Sequence, residues 1–539
     1  MSCTDFPSTG LIPNVTTHTV GNITYIWTGI AWESQVNVPA GELVNDLSQA
    51  YIFETVADYQ ASTIVFPVGK TIHLNDRQAD FTVIAGTGTA NGFDIIANSS
   101  TGQSVDLFFS ITDPLGLSCN NLGLTYDSRG ESANEGTDNT DVLQRCIDKV
   151  KTKPVGLFGE FTGGKISVGF GGLLITSELN LKNNASVSVS GLGKTKSNIF
   201  ASLSMTDDYM LNMTGSNNCR NEIKGLRLTT VGGSEGVIRS GVNAMGSDFG
   251  ANQIDIKENW VNNLQSMYSG VASDSSLKDN AAEYCRQFVI INGGGSRDLD
   301  ISENVIYNVG NIGLPDDSDP VFDITDTENL TLARNRIIND SPVGPHTNGV
   351  FRLTNVDNFD ITDQKFNDSQ KYVGKMFNID GGYGRITNMT LPSLTDSSIR
   401  AQNCSKLTID QVTTAEEKAP KNNTGVSISN CDTVSIGKLE IGRTGFNNIS
   451  LNGCNTVTID TLILNGADTV AAGFDNSIRI ISCQTVVINN LIIKQQSAGT
   501  TDIFADASVS RLIINNVTGT TLSRIDSTAI TSIITNVSP

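Results

Sequence analysis

The chain is short of histidine, proline and long apolar runs, and each shortage narrows what it can be. Only three histidines occur in 539 residues, His18, His73 and His346, so chemistry built on a histidine base has few places to sit. No apolar stretch approaches the roughly 18 residues that a bilayer span requires. The opening MSCTDFPSTGLIPN has neither a basic nor an apolar leader region, and no export signal is expected from it. Lysine and arginine number 36 against 56 aspartates and glutamates, a formal charge of −20. Such a surface repels phosphate, which argues against nucleic acid and against an anionic membrane as partners. It serves solubility, and leaves room for an acidic polysaccharide in a locally neutral groove. Nine cysteines, an odd count with no C-x-x-C spacing, read as free thiols rather than disulfides or zinc ligands. There is no G-x-S-x-G elbow, and GGGSR at 293–297 has no helix behind it to cradle a phosphate. No cofactor is implied.

What is plentiful is glycine, 51 residues, with much asparagine, serine and threonine. That mix suits short strands joined by tight turns, because glycine and asparagine accept left-handed backbone geometry. The most informative feature is an internal repeat. FRLTNVDNFDIT from Phe351, IRAQNCSKLTID from Ile399, VSISNCDTVSIG from Val426, ISLNGCNTVTID from Ile449 and IRIISCQTVVIN from Ile478 align without gaps. Looser copies are QIDIKENWVNN, DLDISENVIYN, NLTLARNRIIN and RLIINNVTG. The first apolar residue of the second strand serves as a marker: Ile254, Leu299, Leu330, Phe359, Leu407, Val434, Val457, Val486 and Leu512. From Leu407 onward the markers stand about 26 residues apart. Units that small, patterned with period 2, bury their apolar faces only by stacking into a solenoid. Leucine-rich repeats are excluded by the missing L-x-x-L-x-L pattern, and a parallel β-helix remains.

Stacking places equivalent residues above one another at about the 4.8 Å strand spacing. Cys404, Cys431, Cys454 and Cys483, each three residues before a marker, then form a column, read as small thiols filling an interior corner in preference to a metal or redox ladder. Asn259, Asn304 and Asn335, each five residues after a marker, form a second column at a turn.

Ahead of the coils, residues 1–48 contain VGNITYIWTGIAWESQV, a hairpin-like stretch with Trp27 and Trp32 as its expected core. Residues 49–116 suggest a short helix in YIFETVADYQAS and strands in KTIHL, FTVIAG and FDIIA. Residues 117–155 are a polar loop running into an amphipathic helix, with Asn139, Thr140 or Asp141 as cap and Val142, Cys146, Ile147 and Val150 as apolar stripe. The β-helix is assigned to residues 156–515 and an end coil to 516–539.

In TYDSRGESANEGTDNTDVLQRCID, the residues Asp127, Gly130, Gly136, Thr137, Asp138, Thr140, Leu143, Gln144 and Ile147, followed by GGKISVGFGGLLITSELNL, resemble the opening of the pectate-lyase-like β-helix of bacteriophage tailspikes. The resemblance covers about 80 residues closely, from Leu117 to Ile199, and the coils more loosely. It implies an all-β chain: a right-handed parallel β-helix preceded by small β-rich virion-attachment modules and a short capping helix. It also implies a homotrimer on the virion tail, joined to tail or adaptor proteins through its N-terminal region. Its implied partner is a bacterial surface polysaccharide, namely capsule, exopolysaccharide or O-antigen. The ending INNVTGTTLSRIDSTAITSIITNVSP departs from tailspikes that carry a distinct C-terminal domain. Fold is specified better than substrate by such a motif.

Glycan cleavage needs only a pair of carboxyl groups. Four residues after the markers stand Glu258, Glu303, Arg334 and Asp363; one residue after them stand Asp255, Asp300, Thr331 and Asp360. If both positions face outward they make neighbouring columns, and like charges one coil apart raise one another's pKa. Adjacent coils approach the roughly 5 Å separation of retaining enzymes, alternate coils that of inverting ones. The candidate catalytic residues are therefore Glu258, Glu303, Asp300 and Asp363. Trp260, Tyr268, Tyr284, Tyr307 and Arg334 are candidates for holding sugar, with Phe288 in the same aromatic-rich stretch. A long coil from Gln265 to Arg286 and the acidic loop LPDDSDPVFD are expected to protrude there, and Asp316, Asp317 and Asp319 match no calcium-loop signature. The rival readings are a non-catalytic adhesin or structural tail component, and a cellular pectin-type lyase or hydrolase.

Overall fold

The computed structural model describes residues 9–13, 16–20, 23–27, 32–35, 47–110, 115–131, 135–151, 164–181, 186–215, 220–231, 241–249, 253–309, 319–338, 345–346, 349–367, 373–392, 397–415, 424–466, 476–496 and 501–539. The chain divides into two units: Met1–Ser110 with Asn120–Gly123, and Ile111–Cys119 with Leu124–Pro539. No helix among the described residues is long and apolar enough to cross a membrane.

The first unit holds two small sheets. Thr17–Val20, Ile23–Trp27 and Trp32–Gln35 form an antiparallel meander in which Trp27 pairs with Trp32 across the strands. The second sheet has five strands in the order Tyr51–Phe53, Thr71–Leu74, Ala79–Ala85, Gln103–Leu107, Ile95–Asn98. Helix Val56–Ala61 begins with a capping box, in which Thr55 and Asp58 satisfy each other's backbone. Tyr51, Phe53, Tyr59 and Phe66 pack ring to ring at 5.1–6.0 Å.

The second unit is the parallel β-helix. Its first coil is Gly164–Val168, Gly171–Ile175 and Leu179–Asn180, and each strand pairs in parallel with its counterpart one coil on. Three sheets result. A first sheet runs the length of the unit, a second of eight strands ends at Lys365–Phe366, and a third of fourteen ends at Ile525–Ser527. Beyond Lys365 the first-sheet strands lengthen to nine residues, as in Tyr383–Leu391 and Lys406–Thr414, and the coils have two sides in place of three. The chain's last strands, Thr531–Ile534 and Val537–Ser538, add to the same first sheet.

The sequence repeat and the register agree residue by residue. Leu299, Leu330 and Phe359 are direct partners, as are Leu407, Val434, Val457, Val486 and Leu512. Phe322, Phe351 and Phe377 stack face to face at 4.5 and 4.9 Å, because coils one strand spacing apart leave room for one ring each. Two coils escape the marker pattern. Ser275 stands where an apolar marker is expected, paired with Leu299. Gly384 stands between Phe359 and Leu407, and a Cβ there would meet the Phe359 carbonyl at 2.2 Å. The Gln265–Arg286 segment is therefore no protrusion. It is a regular coil, with strands Tyr268–Gly270, Ser273–Lys278 and Ala281–Glu283.

Cys404, Cys431, Cys454 and Cys483 are buried free thiols. Each donates to the carbonyl two residues before it, from Gln402, Ser429, Asn452 and Ile481. The asparagine column has four members, because the unrecognised coil contributes Asn280. Asn259 Nδ2 donates to Asn280 Oδ1, Asn280 to Asn304, and Asn304 to Asn335, at 2.9–3.2 Å. Each amide also donates to a main-chain carbonyl: Ile223, Ile256, Leu277 and Ile301. The ladder ends at Gln364, whose amide donates to the Leu332 and Thr362 carbonyls.

Helix Thr140–Val150 lies against the first coil and buries Val142, Leu143, Cys146, Ile147 and Val150. Its start is secured differently from the expectation. The Asp138 carboxylate accepts from the Thr140 amide and hydroxyl and from the Thr176 hydroxyl, while the Asn139 side chain bonds the Thr125 backbone. Asp127 accepts from Thr137 N and Oγ1 at 2.8 Å, and Gln144 bridges both main-chain groups of Asn180. Burial raises the Asp138 carboxyl, but the bonds from Thr140 and Thr176 outweigh it and hold it below the usual 3.8. The amide of Thr137 lowers Asp127 likewise.

Depressed folded values mean that both aspartates contribute stability above the usual carboxylate range and lose it as pH falls through 3.8 and below. Denaturation midpoints of Asp127→Asn and Asp138→Asn should therefore fall less steeply than the parent's between about pH 5 and pH 3; parallel curves contradict the assignment. Asn304→Ala removes four buried hydrogen bonds, to the Asn280 amide and side chain, the Leu277 carbonyl and Asn335, and should cost about 2–5 kcal/mol in chemical unfolding. A change under about 0.5 kcal/mol would remove the ladder from the account of stability.

Candidate functional site

The positions four residues after the markers are the turn from the first sheet to the second, and they are left-handed. After Gly225 at φ +68° come Glu258 at +57°, Asp279 at +54°, Glu303 at +62°, Arg334 at +53°, Asp363 at +53° and Asn388 at +54°. This geometry costs a residue with a Cβ about 1–2 kcal/mol, which glycine avoids and asparagine or aspartate mitigates. Five successive coils nevertheless carry a charged side chain here. The geometry recurs because the next residue must turn inward as a ladder amide, which leaves the preceding side chain on the outside of the bend.

Glu258, Asp279 and Glu303 stand on three consecutive coils and line a shallow hollow of about 460 Å³ with Gly193, Lys194, Asn280 and Val305. Strand spacing separates neighbours by roughly 4.8 Å and the outer pair by roughly twice that. Glu258 faces Lys224 at 3.1 Å. Glu303 accepts from Arg334 Nε at 2.9 Å, and that hydrogen bond raises the Arg334 pKa above its ordinary value. The Asp279 carboxylate makes no ion pair or hydrogen bond among the described residues. It was missed in the sequence because Ser275 interrupts the apolar markers. A signal was present in the rhyme of KEN, KDN, SEN and ARN ending at Asn259, Asn280, Asn304 and Asn335.

The outer face of the second sheet continues from this hollow. Trp260, Ala281, Val305, Arg336 and Lys365 succeed one another in register. Trp260 is half-buried, and the Arg227 guanidinium lies 4.5 Å over its ring. Tyr307 meets Tyr284 edge to face at 6.1 Å. Tyr284 is itself left-handed, at φ +50°, where the flanking coils use Asn263 and Asn308. The coil that carries the unpaired Asp279 thus also carries a bulky residue in a strained setting, the kind of departure that marks functional positions.

Three candidates lie elsewhere. Tyr268 is fully buried, with its hydroxyl donated to the Val271 carbonyl, so it offers no face to a sugar; Phe288 is core as well. Asp300 sits on the flat of the first sheet, paired to Lys278 at 2.6 Å. It belongs to a field of alternating charge with Glu222–Lys257, Asp255–Arg220 and Asp360–Arg385. The like-charge column expected at that position is broken by Ser276 and Thr331. Asp363 accepts from Asn388 and lines a different hollow. Asp316 and Asp317 lie outside the described residues, and Asp319 pairs with Arg286 at 2.6 Å. His346 falls in the short strand Pro345–His346, and His73 is bonded to Asp80 at 2.7 Å.

No protein-family model matches the chain, and no curated protein matches it. Among solved structures it is similar to full-length tailspike protein 2 from Escherichia coli O157:H7 bacteriophage CAB120, at 13% identity and TM-score 0.38, over 94% of this chain and 62% of that one. It therefore spans under two thirds of the coliphage protein. A tailspike of Acinetobacter baumannii bacteriophage Fri1, described as a capsular polysaccharide depolymerase, is 11% identical with TM-score 0.39, over 88% of this chain and 76% of that one. An α-1,3-glucanase catalytic unit from Streptomyces thermodiastaticus is 13% identical with TM-score 0.34, over 81% of each chain.

If the left-handed charges serve a ligand rather than the fold, asparagine should be accepted in their place. Glu258→Asn, Glu303→Asn and Tyr284→Asn should each unfold within about 1 kcal/mol of the parent or above it, since exposed ion pairs contribute little and the turn strain is eased. Losses of about 2 kcal/mol or more in denaturant titrations would make these side chains structural.

Proposed function

We propose that the chain is a tailspike-type receptor-binding protein whose β-helix recognises and depolymerises a bacterial surface polysaccharide. In this reading it is a homotrimer on the virion tail, joined through its N-terminal region to tail or adaptor proteins. Those parts of the reading rest on the resemblance of residues 117–199. The observation that carries the glycan chemistry is the hollow in which unpaired Asp279 stands between Glu258 and Glu303, beside a sheet face bearing Trp260 and Tyr307. A polymer suits that face, because the second sheet presents the same two outward positions coil after coil.

Glycosidic cleavage needs one carboxyl to protonate the leaving oxygen and a second to attack the sugar or activate water. Asp279 with either neighbour has the close spacing of a nucleophile and acid, whereas Glu258 with Glu303 has the wider spacing that admits a water. Asp279 is paired to no cation among the described residues, which leaves its oxygens open to a substrate. Tyr307 and Tyr284 supply an apolar edge on which a sugar ring rests, and Arg334 orients Glu303.

One observation favours a second reading, the non-catalytic adhesin: both glutamates are engaged by cations, Lys224 and Arg334. Purified protein incubated with capsule or lipopolysaccharide of a susceptible host decides between them. Depolymerisation is expected to release oligosaccharides, and Asp279→Asn, Glu258→Gln or Glu303→Gln should lower the rate by about 100-fold or more for the two groups that act. Retained binding without release leaves the adhesin. Release undiminished by all three substitutions moves the chemistry to another place.

A further inference from the structure

We infer that the ledge where the second sheet ends binds an anionic sugar, so that the glycan taken by this face carries carboxylate or an equivalent negative charge. The inference rests on the glycan reading above and goes on to name the substrate's charge.

Arg336 and Lys365 are direct register partners in the last two strands of the eight-stranded sheet. Both are exposed, and neither makes an ion pair or side-chain hydrogen bond among the described residues. Like charges placed directly opposite across a strand pair are destabilising. Lysines also stand in direct register on the first sheet, at Lys224, Lys257 and Lys278, but there each is paired to a carboxylate, in Lys224–Glu258, Lys257–Glu222 and Lys278–Asp300. In a chain of net charge −20, carboxylates to pair with are abundant, yet neither cation is paired to one among the described residues.

They adjoin a hollow of about 720 Å³ that opens because no ninth strand follows Lys365–Phe366. Its lining includes Arg336, Lys365, the half-buried Phe366, Gln411, Thr413 and one carboxylate, Asp363, which accepts from Asn388. Those groups suit an acidic sugar. The guanidinium of Arg336 takes a carboxylate through two parallel bonds, the Lys365 ammonium adds a point charge, and Phe366 offers an apolar surface to the ring. The polar side chains are of the kind that bond hydroxyls. Arg336 is one coil beyond Val305 of the carboxylate hollow and Lys365 two, so one polysaccharide along the sheet reaches both.

Ligand-observed NMR titration of the full chain with glucuronate and glucose, and with galacturonate and galactose, tests this. The acids are expected to bind at least about fivefold more tightly than their neutral partners, with a preference that shrinks as salt is raised. Arg336→Ala/Lys365→Ala should erase the preference, and Arg336→Gln alone should reduce it, which covers the case in which losing the edge lysine promotes association. Equal binding of acid and neutral sugar by the parent, or a preference unchanged in both variants, overturns the inference. The triple variant Glu258→Gln/Asp279→Asn/Glu303→Gln is expected to lose polysaccharide cleavage and keep the acid preference, so the two proposals fail separately. A retained acid preference alongside absent polysaccharide cleavage by the parent would sink the catalytic reading and leave this one standing. Cleavage by the parent without acid preference would do the reverse.

Discussion

Every coil of the β-helix lies one strand spacing above the last and in direct register with it, and the rest of the molecule follows from that constraint. A side chain here is packed chiefly by its own counterparts above and below. Inside, like on like is favourable: phenylalanines stack at 4.5 and 4.9 Å, thiols fill one corner, and asparagine amides bond head to tail. Outside, like on like is unfavourable when the side chains are charged. The first sheet does stack like charges, Glu222 on Asp255 and Lys224 on Lys257 and Lys278, and it offsets them by pairing Glu222, Asp255, Asp300 and Asp360 with Lys257, Arg220, Lys278 and Arg385.

The turn between the first and second sheets is where the interior and exterior demands meet. The ladder asparagine must point inward to bond the coil beneath, and a left-handed residue just before it makes that possible. Glycine would satisfy the backbone at lower conformational cost. Glu258 and Glu303 hold this geometry at a cost that glycine would avoid, and Asp279 at a smaller one. The ion pairs of the outer two offset part of that cost, at under about 1 kcal/mol each for exposed groups. The middle one has no such compensation.

Much of this architecture could be read from the residues, and the failures have a common cause. Apolar side chains repeated at a fixed interval locate strands because burial is obligatory in a solenoid, so Leu407, Val434, Val457, Val486 and Leu512 fell into true register. Ser275 and Gly384 broke the pattern because a neighbour's bulk, or a local hydrogen bond, can stand in for an apolar residue at one coil. Ser275 Oγ bonds the Ser273 carbonyl, and the Phe359 ring occupies the space that a side chain at Gly384 would need. Reading the Ser275 coil as a loop also misplaced the carboxylates by one coil, so Glu258 and Glu303 were taken for neighbours when Asp279 divides them. Tyr268 was misjudged for a different reason: alternation decides which residues face inward, and amphipathic tyrosine is used on either side.

A periodic surface has little means of choosing where along its length a ligand should sit, since each coil offers nearly what the next one does. Discrimination has to come from interruptions, and the exterior features without an internal partner coincide with them. The coil lacking an apolar marker carries Asp279, with no cation on it, and Tyr284, left-handed where its neighbours are asparagine. The coil at which the second sheet ends carries Lys365 above Arg336, with no carboxylate on either. These two interruptions are three coils apart on the second sheet, the first with one carboxylate and the second with two cations unpaired among the described residues. In the proposed reading, a polysaccharide along that face meets Asp279 with a neighbouring glutamate and then Arg336 with Lys365, and the distance between them rather than the repeat sets its position.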